Sequence, residues 1–163
     1  MNIIVKKKIL VYRSYKFKCW IGKGGVNLLK KEGDLSTPKG TFKLGTLYYR
    51  KDKVKIRNYE LKKKIIKKNM GWCDDVNSRM YNREIIFPFK YSAEKLYRND
   101  AIYDIFIHIK YNDFPIVKNK GSAIFLHIVN KNFKPTKGCV ALEKKNLLKL
   151  ISLINKKTKI LIK

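Results

Sequence analysis

The sequence predicts a mainly β fold with one C-terminal helix and minor helical segments. Three observations carry that expectation. Short apolar or alternating runs recur along the chain, they are rich in β-branched and aromatic residues, and Gly, Pro, Asn and Asp punctuate them. A helical spacing stands out only near the end, where Leu147, Leu150, Ile151 and Ile154 recur three and four residues apart.

In chain order, Ile3-Ile4-Val5 and Ile9 to Tyr12 read as strands separated by Lys6-Lys7-Lys8. Phe17 to Ile21 alternates and ends in the glycine turn Gly22-Lys23-Gly24-Gly25. That turn lacks both the GxGxxG spacing and a P-loop ending, so it is not read as a phosphate site. Gly33-Asp34-Leu35-Ser36-Thr37-Pro38-Lys39-Gly40 is a turn cluster feeding a strand at Thr41 to Leu44. Gly71-Trp72-Cys73-Asp74-Asp75 joins an aromatic to two carboxylates, which suits a structural or substrate-edge loop. A short helix is expected from Ser92 through Leu96. Ile102 to Ile109 and Ala123 to Val129 are the most apolar strands, and Ile160-Leu161-Ile162 closes the chain. With 163 residues, 45% of them hydrophobic, and no repeat or linker, residues 1–163 read as one domain with its own core.

The net charge of +27 would attract a polyanion, but the lysines are spread along the whole chain. Their densest runs are not interleaved with aromatics as a base-stacking surface would be, so no nucleic acid is expected as a partner. Three cysteines without a CxxC pair argue against a disulfide framework and against zinc, and no metal or cofactor is expected. No apolar run reaches the ~20 residues of a membrane span, and Lys6 to Lys8 interrupt any secretory h-region.

Chemistry concentrates in one segment. Phe125-Leu126-His127 is followed by Thr136-Lys137-Gly138-Cys139-Val140, which puts Cys139 twelve residues after the histidine. A thiol after a glycine, with an imidazole upstream, is the pattern of a cysteine nucleophile and its base. Cys19, beside Trp20 in an alternating strand, reads as a core residue, and Cys73 as a loop residue. His108 sits inside the run Ile105 to Ile109 and reads as a strand residue. A helix start expected soon after Cys139, together with the imidazole, would lower the thiol pKa enough for thiolate at neutral pH.

The pattern His127…Thr136-Lys137-Gly138-Cys139 resembles the histidine…[Ser/Thr]-x-Gly-Cys signature of the YkuD-type L,D-transpeptidase catalytic domain. Thr37-Pro38-Lys39-Gly40-Thr41-Phe42 is similar to that family's upstream T-P-x-G-x-F element. Gly71 to Asp75, Tyr111-Asn112-Asp113 and Gly121 to His127 resemble a compact bacterial branch of it. The resemblance implies a β-sandwich-like fold and a covalent thiol mechanism on peptidoglycan stem peptides. In it Cys139 is the nucleophile, His127 its base, and Gly138 with Cys139 the source of oxyanion N–H groups. Thr136, Lys137 and Trp72 are expected to contact substrate. Here Lys137 precedes the glycine where many members have histidine, and its positive charge would support a thiolate or bind a substrate carboxylate. The implied reaction is transpeptidation from a tetrapeptide stem to an amine. The alternatives are carboxypeptidase or hydrolase activity at the same site, and non-enzymatic binding of an anionic polymer. The family further implies a periplasmic or envelope location, and a monomer is expected.

Overall fold

In the computed structural model, residues 1–56, 60–130, 132 and 134–163 are described. The strands are β1 (Ile3–Lys6), β2 (Ile9–Tyr12), β3 (Tyr15–Lys18), β4 (Val26–Asn27), β5 (Thr37–Pro38), β6 (Gly40–Tyr49) and β7 (Lys63–Ile65). They continue with β8 (Met70–Cys73), β9 (Glu84–Ile86), β10 (Ala93–Lys95), β11 (Ile105–Ile109), β12 (Phe125–Ile128) and β13 (Val140–Leu142). The helix α1 (Lys144–Ile151) and the final strand β14 (Lys159–Ile162) complete the chain. The fold is mainly β with a C-terminal helix, as expected; among the described residues α1 is the single helix, and the minor helical segments also expected are not found.

A large sheet runs in the order β13-β12-β11-β6-β14-β1-β2-β3, with β7 paired to β6, while β10-β8-β9 and β4-β5 form two smaller sheets. Along β11, β12 and β13 successive side chains point to opposite faces. Ile105, Ile107, Ile109, Leu126, Ile128, Val140 and Leu142 therefore share one face and form the main core with Leu147, Leu150 and Ile151 of α1. The opposite face carries Phe106, Phe125 and Cys139, which pack with Met70 and Trp72 of β8 and with Leu96 and Tyr103. His108 and His127 fall on this second face by the same alternation. It is the face that carries the candidate site residues.

Two expected elements differ. Ala93–Lys95 is a strand paired with β8, not a helix, because its residues answer the exposed edge of that strand with Glu94 opposite Trp72. No helix begins directly after Cys139 either. Val140 to Leu142 pairs in parallel with β12, and α1 starts only at Lys144. The lysine run 62–64, which carries no hydrophobic period, contributes to the edge strand β7; its lysines are solvated while its backbone pairs with β6.

The upstream turn cluster leads straight into β5 and β6. Gly40 has φ +144°, and a Cβ there would stand 2.9 Å from the Phe42 ring. Gly40→Val is expected to destabilise the fold by roughly 1–3 kcal/mol, read as a lowered midpoint in chemical denaturation. A variant as stable as the parent would remove the backbone constraint assigned to this position.

Candidate functional site

The parallel register of β12 and β13 pairs His127 with Ala141 and Leu126 with Val140. Cys139, one position before β13, is thereby brought alongside Phe125. The Phe125 N–H donates to Cys139 Sγ at 3.3 Å, and the thiol donates to the Ala123 carbonyl at 3.2 Å. Ala123 adopts φ +51°, a left-handed conformation uncommon for a residue with a Cβ, and this turns its carbonyl to the sulfur. His127 lies on the same face. Its Nδ1 is 2.7 Å from the Ile128 carbonyl, an acceptor only, so Nδ1 carries the hydrogen and Nε2 keeps its lone pair. Tyr103 stands edge-on to the imidazole at 5.5 Å and donates its hydroxyl to Glu94 at 2.8 Å.

Cys139 and His127 both line a cavity of about 380 Å³. Glu32, Asp74 and Glu94 bring carboxylates to it, while Arg98, Lys134 and Lys137 bring cations. In a chain with 39 basic and 12 acidic residues, three carboxylates on one cavity mark it off from the general surface. Thr136 also lines it, but its hydroxyl is committed to the turn. It donates to the Cys139 carbonyl at 2.6 Å and accepts from the Gly138 N–H at 3.2 Å. Gly138 has φ +140°, and a Cβ there would lie 2.8 Å from the Ser36 carbonyl, so only glycine lets this turn close.

The remaining motifs brace this turn. The glycine turn after Ile21 is structural: Lys23 N–H donates to the Thr136 carbonyl at 2.9 Å and Gly22 N–H to Thr37 Oγ1 at 2.8 Å. Asp34 accepts from Lys30 Nζ, Lys31 N–H, Ser36 N–H and Ser36 Oγ. Although burial opposes it, these bonds hold its carboxyl well below the usual range. Of the acidic pair, Asp75 caps backbone N–H groups of Asn77 and Ser92, whereas Asp74 reaches the cavity.

Trp72 is placed elsewhere than expected. It is buried, donates Nε1–H to Asn82 at 2.9 Å, and lies against His108 and Phe125. It lines a second, more open cavity with His108, Lys110 and Asp113, and is not part of the Cys139 cavity lining. Asn82 Oδ1 also accepts from Ala123 N–H at 3.0 Å, so Trp72 and the segment that holds the sulfur share one acceptor.

The expected low thiol pKa is overturned. Burial pushes the Cys139 thiol up to about 12, with Glu94 raising it further, against a lowering by the Phe125 N–H and Lys30. Burial likewise pushes His127 down to about 4. Burial thus disfavours both ions, which favours neutral thiol and neutral imidazole at rest. No helix end sits at Cys139 to shift that balance. The charges acting on the sulfur are those of Glu94 and Lys30, while the charge of Lys137 acts on Glu94.

Among the described residues no group of three His, Cys, Asp or Glu side chains gathers as a metal site. None of the described helices is long and apolar enough to cross a membrane.

Residues 3–162 match the YkuD family, the L,D-transpeptidase catalytic domain. The chain belongs to this family. Comparison with curated proteins finds no match. Among solved structures, the YkuD domain here is similar in fold to the helical cell shape determining protein Pgp2 from Campylobacter jejuni, with a TM-score of 0.57 and 16% identity. The K307A mutant of that protein gives a TM-score of 0.54 and 18% identity. The likeness covers 99% of this chain in both cases but only 46% and 47% of the Pgp2 chains, so the chain spans about half their length.

Two titrations check this geometry. Alkylation of Cys139 by iodoacetamide is expected to accelerate steadily with pH through pH 9, and a plateau below pH 8 would show a resting thiolate. His108, pushed down to about 4 mainly by burial, and His127 are both neutral when folded. The unfolded chain binds more protons between its ordinary histidine pKa of about 6.5 and that value. Stability is therefore full above pH 6.5 and falls as pH drops toward 4, with Asp34 adding a loss below that. Melting temperatures should follow this course, and His108→Gln and His127→Gln should each flatten it.

Proposed function

We propose that this chain is a peptidoglycan L,D-transpeptidase that acts in the cell envelope through Cys139 and His127. The observation that carries the reading is the placement of both side chains by adjacent parallel strands on one cavity. Family membership supports it. The stem peptide supplies a carbonyl at its third residue, a diamino acid, and the sulfur attacks that carbon. As the S–C bond forms, the thiol proton passes to His127 Nε2. The bond to D-alanine then breaks, and the imidazolium returns the proton to the leaving amine. An amine of a second stem attacks the thioester, the S–C bond breaks and the free thiol is restored. If water attacks instead, the outcome is carboxypeptidation.

Because the resting pair is neutral, proton transfer accompanies attack rather than preceding it. The Ile128 carbonyl fixes the tautomer, so His127 presents an acceptor without any rearrangement. The thiol must leave its bond to the Ala123 carbonyl to reach the substrate. The Gly138 N–H must likewise exchange Thr136 for the oxyanion, and its 3.2 Å bond is long enough to be given up cheaply. The cavity's mixture of carboxylates and cations suits the amine and carboxylate of a diamino acid. The cell-shape role printed for Pgp2 fits remodelling of the wall, and we extend it to this chain on the same reading.

Incubation with a disaccharide tetrapeptide and an amine acceptor, followed by mass spectrometry, tests the reading. Acceptor incorporation with loss of D-alanine is expected, and it should vanish in Cys139→Ala. Loss of D-alanine alone would assign carboxypeptidase activity, and neither product nor thioester adduct would overturn the reading. His127→Ala should slow acylation by about 10²–10⁴-fold, and folded His108→Ala far less. Equal losses would mean that the two histidines do not differ in role.

A further inference from the structure

Lys30 is a buried cation that the reaction described above does not use. Its side chain is 3% exposed, and Nζ lies 2.7 Å from Asp34 Oδ1 and 3.2 Å from the Lys31 carbonyl. Lysine is almost never this buried unless paired, because removing an ammonium from water costs several kcal/mol per ion. Its position gives that burial a purpose. The stem runs against Gly121, where a Cβ would meet Cε at 2.8 Å, and Nζ stands 3.6 Å from where a Cβ on Gly138 would lie. Gly121 opens the segment Gly121-Ser122-Ala123 that receives the thiol hydrogen bond, and Gly138 is the residue before the thiol. Lys30 thus packs beside both glycines of the segments that flank the sulfur, and it is not among the residues that line the cavity.

Asp34 keeps the ammonium there. Its carboxylate is fixed by Lys31 and Ser36 as well as by Lys30, and the Ser36 carbonyl in turn packs on Gly138. The two separated sequence motifs, the turn cluster before β5 and the turn before β13, therefore meet at Lys30. We propose that Lys30 is a positioning residue for Cys139, a fixed positive charge behind Gly138 that favours sulfur once it becomes anionic. The thiol proton goes to His127, and Lys30 takes no part in proton transfer. The cavity that Cys139 lines also carries Glu94 from β10, Tyr103, His127 from β12, Glu32, Asp74, Arg98, Lys134 and Lys137. Glu94 opposes ionisation, so Lys30 is the ammonium that offsets it.

The inference rests on Cys139 being the reacting thiol, and its test needs no peptidoglycan. Iodoacetamide alkylation of Cys139 is followed from pH 6 to 10 in the parent, Lys30→Met, Lys30→Arg and, as a lysine outside the cavity, the exposed Lys157→Met, each checked for folding by circular dichroism. Lys30→Met should react roughly tenfold more slowly at a given pH, with its rate profile displaced to higher pH. Lys30→Arg and Lys157→Met should stay close to the parent. Coincident profiles for Lys30→Met and the parent, or an equal slowing in Lys157→Met, would overturn the proposal. Should Lys30→Met fail to fold, Asp34→Asn decides, because it keeps the ammonium and removes its counter-charge. Alkylation at least as fast as in the parent supports the proposal, and slower alkylation overturns it. A protein whose thiol responds to Lys30 in this way but which leaves the tetrapeptide untouched would retain the inference and lose the proposed substrate.

Discussion

The parallel pairing of β12 with β13 is the constraint on which the site depends. Side chains alternate along each strand, so one register decides which residues meet on which face. With Leu126 opposite Val140, His127 and Cys139 share the face away from α1, and a slip by one residue would send one of them into the aliphatic core. The register is held from both sides. Apolar packing of Leu126, Ile128, Val140 and Leu142 on α1 fixes one face, and the Phe125 N–H to Sγ bond marks the other. Core packing and the placing of the candidate nucleophile are thus one event.

Burial at this face shapes the chemistry. The apolar surroundings that position the thiol and imidazole also keep both neutral at rest. Such a pair is protected from adventitious alkylation and oxidation, since both need thiolate character. It also makes the fixed charges around the sulfur matter more, because they act in a medium that screens them poorly. Glu94 and Lys30 pull in opposite directions from opposite sides, one in the cavity and one behind the turn.

The turn that presents Cys139 is assembled from distant pieces. Thr136 closes it internally, Lys23 and Gly22 tie it to the first third of the chain, and Ser36 packs on Gly138. Asn82 and Tyr81 support the Gly121 to Ala123 segment through their side chains. Residues that make no contact with a substrate therefore set how accurately the sulfur is held. Trp72 belongs to this supporting group, packed on Phe125 behind the site.

The mainly β class, the C-terminal helix and the pairing of His127 with the Thr136–Cys139 turn were legible in the sequence, because each rests on local spacing. Alternation reports a strand, and Thr136-Lys137-Gly138-Cys139 resembles a short family signature. What was misread involved distance along the chain. Ala93 to Lys95 has no strand period and becomes a strand only because β8 offers it an edge. The thiol's ionisation was misjudged because Val140 to Leu142 is claimed by β12 instead of by a helix, and because burial is a property of the folded whole. Lys30, Glu94 and Tyr103 carried no local signal, since their meaning lies in what stands opposite them. The sequence by itself determined the class of fold through short-range periodicity and brought His127 and Cys139 forward as candidates through a motif resemblance; tertiary structure alone decided their burial and charged surroundings, because electrostatics depends on distances through space and on excluded water.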